Sequence, residues 1–327
     1  MKIFVTGSTG FVGSHLVDFF IERGDDIYCL VRKTSNLQWL EGKKVNLVYG
    51  DVRDSDNKEL EEVLKNVDYV YHIAGAIMGL KKEDYFKVNE DGVRNLLEFM
   101  VKSGAKPKRY LHLSSLAAVG PGEGDEQVNE EKEPAPVSWY GESKFAGEKV
   151  AKEYEKHFPV TIVRPPPVYG PRDYGMLQVF QAIKKGLRPQ IGKPTKTNFV
   201  YVQDLVKGIV LAAESPKGIG EIFHIGDNEN ITDGEFMERV ASTIGKKLFK
   251  LTIPLFIVYI AAFFSEMKMK ITKKPDIFNL QKMDELKQTN FMFDINKAKK
   301  VLDYKPEYNV EKGGEITYKW YDEKGWL

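Results

Sequence analysis

The chain has 327 residues, of which 42% are hydrophobic, so it can bury a sizeable core and is too apolar for a disordered protein. Its 48 Lys and Arg residues nearly balance its 47 Asp and Glu residues, which excludes an electrostatic case for nucleic-acid binding. The single cysteine, Cys29, excludes an internal disulfide, and the N-terminus runs into a strand pattern without a secretion signal. We therefore expect a cytoplasmic protein.

The first half of the chain alternates strand patterns with helical patterns. Strands are predicted near 2–6, 26–31, 45–49, 68–74, 109–114 and 160–164, and helices between them near 57–64, 85–103 and 140–156. This alternation predicts βαβ units and therefore an α/β fold with a Rossmann-type, doubly wound parallel sheet. We expect this dinucleotide-binding domain to span 1–170, with the later chain returning to it at about 199–225.

The pattern changes after Pro171. Helices are predicted near 174–186, 203–214, 232–244 and 255–267, and short strands near 199–202 and 221–225. We interpret 171–327 as a smaller, mostly helical substrate-binding region. The Pro-, Gly- and acid-rich stretch 120–138 predicts a long loop near the site. Ligands of open parallel sheets bind at the carboxyl ends of the strands, and the second region would cover that crevice.

A glycine-rich turn joins the first strand to the first helix. Gly7 suits a tight turn, Gly10 would let a pyrophosphate approach the backbone, and Gly13 would let the helix pack against the sheet. The N-terminus of the helix offers unpaired N–H groups and the positive end of its dipole to the phosphates. The predicted cofactor contacts in this turn are Gly7, Thr9, Gly10, Phe11, Val12 and Gly13.

The ends of the next strands indicate which cofactor binds. Arg32 follows the second strand, 32 − 13 = 19 positions after Gly13, where a cation would accept a 2′-phosphate, so NADP(H) is favoured over NAD(H). The alternative is an ordinary solvated cation at a strand end. Asp51 and Val52 follow the third strand, where an adenine amino group could be bound, although Asp51 could equally be a helix-capping or turn acid. Small residues end the fourth strand, where the cofactor backbone would pass closely: Ile73, Ala74 and Gly75.

Tyr140 and Lys144 are four positions apart and share one face of a predicted helix. A nearby ammonium lowers the pKa of a tyrosine, so Tyr140 could exchange a proton with a carbonyl or alcohol oxygen. Lys144 could also reach the cofactor ribose. A serine pair ends the fifth strand, and a hydroxyl there could bond the same substrate oxygen: Ser114 and Ser115. No metal site is predicted.

Together these motifs resemble the extended short-chain dehydrogenases/reductases, also called NAD-dependent epimerases/dehydratases. The matching segments are TGSTGFVG at 6–13, GDV at 50–52, YHIAG at 71–75, LSSLAAVG at 113–120, YGESK at 140–144, RPPPVYGPR at 164–172 and FVYVQDL at 199–205. The resemblance implies that Tyr140 is the general acid/base, that Lys144 tunes it and holds the ribose, and that Ser115 polarises the substrate oxygen. It also implies a cofactor contact at Ser114 and a nicotinamide flanked by Pro165 and Val168.

The resemblance further implies a homodimer paired through helices corresponding to 85–103 and 140–156, and a closing helix within 296–327. The chain departs from the pattern of nucleotide-sugar enzymes at three places. Leu116-Ala117 replaces the Asp-Glu of dehydratases, Pro167 replaces a substrate-binding Asn, and Thr197 replaces a diphosphate-binding Arg. Arg172 or Lys196 could substitute for the missing contacts.

These departures favour a likeness to dihydroflavonol reductases and 3β-hydroxysteroid dehydrogenases, and hence an NADP(H)-preferring oxidoreductase of a carbonyl or secondary alcohol on an apolar substrate. Two alternatives stay open. One is a nucleotide-sugar 4-epimerase that retains NAD, and the other is a cofactor-sensing regulator without turnover. The intact Ser115, Tyr140 and Lys144 count against the regulator.

The late segment 253–264 is apolar on all sides and is followed by Lys268, Lys270, Lys273 and Lys274. It is too short to span a membrane, which needs about 20 residues. An ordinary buried helix is the favoured interpretation. The others are a lid over an apolar substrate and, least favoured, a membrane-surface contact by 253–274.

Overall fold

The computed structural model describes residues 1–53, 57–273 and 287–327. The strands, numbered in chain order, are β1 (Lys2–Thr6), β2 (Asp26–Val31), β3 (Asn46–Tyr49), β4 (Tyr69–His72), β5 (Arg109–Leu113), β6 (Val160–Arg164), β7 (Val168–Tyr169), β8 (Leu187–Ile191), β9 (Lys196–Asn198), β10 (Val200–Tyr201), β11 (Ile222–His224), β12 (Asn230–Thr232), β13 (Phe249–Ile253) and β14 (Asn290–Phe291). Seven of them form a parallel sheet with the order β11-β6-β5-β4-β1-β2-β3. The predicted Rossmann-type sheet is confirmed.

Helices cover both faces of this sheet. They are α1 (Phe11–Arg23), α2 (Lys58–Lys65), α3 (Lys82–Asn89), α4 (Asp91–Ser103), α5 (Trp139–Glu153), α6 (Leu177–Lys184), α7 (Val202–Glu214), α8 (Asp233–Thr243), α9 (Leu255–Thr272), α10 (Asn296–Leu302) and α11 (Val310–Glu323). On one face, α1 and α7 bury Leu16 and Ile209. On the other face, α2, α4 and α5 bury Leu64, Leu97 and Val150. Burial from both sides explains why the strands read as short, continuous apolar runs.

The order of the strands in the sheet determines where its ligand-binding crevice lies. The chain moves from β1 outward to β2 and β3, then crosses to β4 on the other side of β1. The strand order therefore reverses between β1 and β4, and a parallel sheet binds its ligand at the carboxyl ends of the strands at such a point. The residues that follow these two strands are those of the glycine-rich turn and of 73–75.

The later chain holds more strands than the sequence predicts. It contributes β11 to the central sheet and also forms two small sheets, β12-β9-β14 and β13-β8. The expectation of a mostly helical second region is therefore incomplete. Strand β8 reads Leu-Arg-Pro-Gln-Ile, and its polar centre gives no apolar run for a sequence reading to detect.

Two predicted helices are also corrected. The single helix expected at 85–103 is divided into α3 and α4 at Glu90. The buried Asn89 at the end of α3 turns its amide to a neighbouring loop, where it bonds both the N–H and the C=O of Ala76. The tail expected to hold one closing helix contains α10 and α11, separated by Asp303 in the left-handed conformation (φ 54°).

Helix α9 contradicts the favoured interpretation of the apolar run as a buried helix. Only Val258, Ala262 and Met269 are buried along it. Most of its other apolar side chains are exposed, because one face alone packs on the β8–β13 pair. Lys274 of the predicted membrane contact lies outside the described residues. No helix in the described part of the chain is long and apolar enough to cross a membrane.

Candidate active site

The junction of β1 and α1 has no room for a side chain at Gly7, in the turn, or at Gly13, in the first turn of the helix. Gly7 has φ +71°, and a Cβ on it would lie 2.7 Å from the backbone nitrogen of Ala74. A Cβ on Gly13 would lie 2.1 Å from the carbonyl oxygen of Gly7. Gly13 thus lets the helix pack against the turn itself, rather than against the sheet as the sequence suggested. Strand, turn and helix are held in backbone contact.

The N-terminus of α1 opens at Gly10, whose N–H donates to the Gly7 carbonyl at 3.0 Å. No described side chain caps this end, and the first turn of the helix carries no acidic residue. The first N–H groups of the helix, at Phe11 and Val12, and the positive end of its dipole are thus left for an anion. The half-buried Thr9 stands in the same turn. This cradle fits the pyrophosphate of a dinucleotide.

The end of β4 connects this cradle to the lysine of the predicted catalytic pair. The Ala74 N–H donates to Oγ1 of Thr6 at 3.1 Å, and the Ile73 N–H donates to the Thr6 carbonyl at 3.3 Å. A Cβ on Gly75 would lie 3.6 Å from Nζ of Lys144. The structure therefore brings the glycine turn, residues 73–75 and Lys144 into one continuous line along the crevice.

Helix α5 carries the predicted catalytic pair, Tyr140 and Lys144, and packs closely on its neighbours. Ser138 caps its N-terminus by accepting the Gly141 N–H at 3.2 Å. A Cβ on Gly141 would lie 2.3 Å from the Ala117 carbonyl oxygen, and one on Gly147 would lie 2.1 Å from the Asn89 carbonyl oxygen. Tyr140, next to Gly141, is thereby held against the turn that follows β5. Its side chain is half-buried.

Ser115 begins a 3₁₀ turn, Leu116–Ala118, and accepts the Ala117 N–H at 3.2 Å. The Leu116 N–H donates to the Pro165 carbonyl at 2.9 Å. The turn after β5 is thus tied to α5 on one side and to the loop after β6 on the other. This arrangement places half-buried Ser115 close to the start of α5, where Tyr140 stands.

Lys144 is buried, and its ammonium donates to the Leu113 carbonyl at 2.6 Å. Burial lowers its pKa from 10.5 to about 8, although the nearby Glu148 carboxylate opposes this shift. The buried His72 and His112 stack with ring centroids 5.6 Å apart. Burial, and then the Lys144 charge, lowers the pKa of His72 to about 3 and that of His112 well below its usual value. Both imidazoles are therefore neutral beneath the lysine at ordinary pH.

The model of the NAD dependent epimerase/dehydratase family matches residues 3–226, which include every element of this crevice. The chain belongs to this family. The resemblance stated from the motifs is confirmed.

Relatives within the family carry out different reactions. Ceramide reductase of Caulobacter vibrioides is 28% identical over 325 residues, covering 99% of this chain and 95% of the relative. UDP-glucose 4-epimerase of Vibrio cholerae is 29% identical, covering 97% of this chain and 94% of the relative. A 3-beta-hydroxysteroid dehydrogenase of Mycolicibacterium neoaurum is 28% identical, covering 95% of this chain and 88% of the relative. The solved structure of UDP-glucuronic acid 4-epimerase from Bacillus cereus with NAD has a TM-score of 0.77, 25% identity and 99% coverage of both chains.

The family's nicotinamide dinucleotide fits the residues of this chain, since three glycines line the crevice where a Cβ would collide or intrude: Gly7, Gly13 and Gly75. At the predicted nucleotide end, Arg32 is exposed just beyond β2. Asp51 accepts three bonds from Arg53, from its backbone N–H at 3.0 Å, from Nε at 2.9 Å and from Nη2 at 2.6 Å. The Arg53 guanidinium holds the pKa of Asp51 below its usual value, and Arg32 contributes. Val52 packs on α4 at Gly92.

At the predicted nicotinamide end, Pro165 is buried and half-buried Val168 pairs with Val200 in a short parallel bridge. The hydroxyl of Ser114, by contrast, is directed into the protein and donates to the Glu148 carboxylate. The structure thus places Pro165 beside the turn that Ser115 begins. It does not direct the Ser114 side chain toward the crevice.

Two features of this family member escaped the sequence analysis. Asn89 is buried and bonds Oγ of Ser143 at 2.8 Å, as well as the backbone of Ala76, so it ties the loop after β4 to α5. A buried asparagine within an apolar helical pattern was the available signal. Glu148 and Arg164 form a fully buried ion pair beneath Lys144, with bonds of 2.8 and 2.6 Å. No cluster in the described ranges could hold a metal ion.

Proposed function

We propose that this protein is an NADP(H)-preferring oxidoreductase that interconverts a carbonyl and a secondary alcohol on an apolar substrate. The observation that carries the proposal is the arrangement around Lys144. Its buried ammonium lies beside Gly75 in the cofactor crevice and one helical turn from Tyr140. Ser115 stands in the turn that packs against the same helix. The epimerase/dehydratase fold supplies the rest of the crevice.

Each of these side chains has a role in moving a proton. The bound cofactor supplies the acceptor or donor for hydride. Tyr140, half-buried, would give its phenolic proton to the substrate oxygen during reduction and take it back during oxidation. The Lys144 ammonium stabilises the phenolate form electrostatically. The Ser115 hydroxyl would bond the same oxygen and orient the substrate.

An apolar substrate is supported by the loop that follows Gly75. Ile77, Met78 and Leu80 are exposed there, by 59%, 37% and 40%. Asn89 fixes the start of this loop beside α5 through the backbone of Ala76. The loop therefore presents apolar side chains near the mouth of the crevice. The relatives named for ceramide reduction and for 3-beta-hydroxysteroid dehydrogenation agree with this choice.

The cations that might have bound a nucleotide-sugar diphosphate have other contacts. Arg172 pairs with Asp18 of α1 at 2.7 Å and lies over the ring of Trp39. Lys196 is exposed and faces Asp125 at 3.5 Å. Thr197, where nucleotide-sugar enzymes carry an Arg, donates its hydroxyl to the Phe291 carbonyl at 3.3 Å. These contacts weaken the epimerase alternative.

A nucleotide-sugar 4-epimerase nevertheless remains the second candidate, because the UDP-sugar epimerase relatives cover the chain as completely as the reductase does. An epimerase returns the hydride to its own substrate and therefore retains its cofactor. A reductase must exchange the cofactor at every turnover.

Cofactor retention separates the two candidates. We would purify the protein, denature it and measure released NAD(H) and NADP(H) by chromatography, then follow exchange of bound NADPH against free NADP⁺ by fluorescence. We expect little retained cofactor and rapid exchange, with tighter binding of NADPH than of NADH. Stoichiometric NAD that survives gel filtration would contradict the proposal and favour the epimerase.

A further inference from the structure

The outward face of α9 is a continuous apolar stripe. Its members recur at i, i+4, i+7, i+8, i+11 and i+15 from Phe256, the spacing of residues that share one face of a helix. Each of them is at least 45% exposed: Phe256, Ile260, Phe263, Phe264, Met267 and Ile271. Amphipathic helices of water-soluble domains turn such a stripe inward. Here it points to the solvent along the whole helix.

The opposite face of α9 packs against the rest of the protein. Val258 and Ala262 are buried and pack with Ile191 of β8 and Ile253 of β13. Met269 lies on the same face of the helix as these two residues and is only 4% exposed. The helix is therefore docked on the β8–β13 pair by one apolar face. The exposed stripe is a second, separate apolar face of the same helix.

The segment that carries the stripe has an excess of positive charge. Between Lys246 and Lys273 the sequence holds six lysines and one acid, Glu266, a net charge of 6 − 1 = +5. The whole chain has a net charge of +1, so the remainder carries 1 − 5 = −4. The segment that exposes the apolar stripe is therefore net positive, whereas the rest of the chain is net negative. Such a distribution fits an acidic partner surface.

The lysines of α9 also flank the stripe. At 3.6 residues per turn, Lys268 and Lys270 project about 80° to either side of its centre. Both are exposed, and Lys270 pairs with Glu266 at 3.1 Å. From these positions the long aliphatic stems would lie along an apolar phase while the ammonium groups reach outward to phosphates. Strand β13, just before the helix, adds exposed Phe249 and Leu251 (70% and 44%).

We propose that α9 is an interfacial anchor that lies flat on an anionic lipid bilayer, with the Phe256–Ile271 stripe among the acyl chains and its lysines at the lipid phosphates. Apolar and cationic groups in this arrangement match both layers of a membrane surface. A second copy of the chain fits less well, because a symmetric contact through this face would bring two segments of charge +5 together. The anchor is independent of the chemistry at Tyr140.

Vesicle sedimentation with the full-length protein tests the anchor. We expect binding to vesicles of phosphatidylglycerol and phosphatidylcholine, and little binding to phosphatidylcholine alone. Phe256→Ser combined with Phe264→Ser should weaken binding at least about tenfold, since interfacial affinity follows the buried apolar area. Lys268→Gln combined with Lys270→Gln should weaken vesicle binding by about fivefold per lysine. Added salt should also weaken binding of the parent protein, because it screens the attraction between the lysines and the lipid phosphates.

The matched control is Lys217→Gln combined with Ile219→Ser, which removes one lysine and one exposed apolar side chain from another surface turn. It should bind vesicles like the parent protein. Circular dichroism and thermal unfolding should be unchanged in all variants, because every replaced side chain is exposed. The proposal is overturned by absent binding to anionic vesicles, by equal binding to both lipid mixtures, or by serine variants that bind normally. A dimer that the serine variants dissociate, without vesicle binding, would assign the face to a second copy.

Discussion

At the scale of single residues, the site depends on a charge that is unfavourable to bury. The folded-state pKa of Lys144, about 8, lies below its ordinary value of 10.5. The folded protein therefore binds fewer protons than the unfolded chain between pH 8 and 10.5, and the free energy of unfolding rises with pH across that window. Below pH 8 the full penalty is present, and it is about 3 kcal/mol.

Lys144→Met should separate stability from catalysis. Removing the buried ammonium should raise the free energy of unfolding by about 1–3 kcal/mol at pH 7, and the gain should shrink by pH 10, where the lysine is already neutral. The same change should lower kcat by about 10²–10³-fold, because Tyr140 loses the charge that stabilises its phenolate. Urea unfolding at both pH values and steady-state kinetics check this. A variant destabilised at pH 7 would contradict the account.

Arg32→Asp tests the choice of cofactor. If the Arg32 guanidinium holds the 2′-phosphate, its loss should lower kcat/KM for NADP⁺ by about 10–100-fold, the range expected for a charge-assisted hydrogen bond. The new carboxylate should improve the use of NAD⁺. Lys33→Asp, at the next exposed position, is the control and should change both values much less. Equal losses with both cofactors would show that Arg32 does not read the phosphate.

At the scale of elements, the function of α5 depends on the distance at which it packs. Gly141→Ala would add a Cβ 2.3 Å from the Ala117 carbonyl oxygen, which is too close for either backbone to keep its place. The helix should move away from the turn of Ser115, lowering kcat by about tenfold or more, since small displacements in a site have large effects on rate. Lys149→Ala on the exposed side of the helix is the control. Normal kinetics for Gly141→Ala would contradict the close packing.

Glu148→Gln tests the ion pair under the site. It leaves the buried Arg164 guanidinium without a charged partner, and breaking such a pair costs about 3–5 kcal/mol of stability. Glu153→Gln on the same helix removes an exposed pair with Arg94 and should change stability by about 0.5 kcal/mol or less. Denaturant unfolding measures both variants. Similar values for the two would show that the buried pair does not hold α5 to β6.

The elements that the sequence predicts well are those with strong local patterns. The six early strands lie within about two residues of their predicted positions, because buried parallel strands are short apolar runs bounded by turns. The polar β8 has no such pattern. The burial of α9 could not be predicted, because a helix that is apolar on all sides has no period that marks its inner face.

The candidate site likewise has some features that local sequence patterns predict and others that they do not. The glycine turn, Tyr140 and Lys144 have fixed spacings in the chain, and the structure brings the glycine turn and Lys144 to the two ends of residues 73–75. The Glu148–Arg164 pair joins two elements and leaves no local signature. Asn89 likewise depends on contacts across the fold, with Ala76 and Ser143. The roles of all the predicted site residues stay predictions, both the catalytic roles of Ser115, Tyr140 and Lys144 and the cofactor contacts such as Arg32, Asp51, Ser114 and Val168.

At the scale of the whole molecule, one crevice combines segments from distant parts of the chain. Residues 7–13, 73–75, 115–118, 140–144 and 165–168 meet at the carboxyl ends of the parallel strands because the strand order reverses between β1 and β4. The predicted homodimer through 85–103 (α3 and α4) and 140–156 (α5) stays a prediction, which sedimentation equilibrium would test. The exposed stripe of α9 belongs to a different surface with its own charge.

Cofactor-coupled turnover tests the central claim most directly. The protein would be incubated with NADP⁺ or NAD⁺ and two panels of alcohols, one of sterol, ceramide and isoprenoid type and one of nucleotide sugars, while the near-ultraviolet absorbance of reduced nicotinamide is followed. We predict net reduction of NADP⁺ by a member of the apolar panel, and its loss in Tyr140→Phe. A sugar stereocentre inverted without net reduction, detected by NMR, would contradict the account and identify an epimerase.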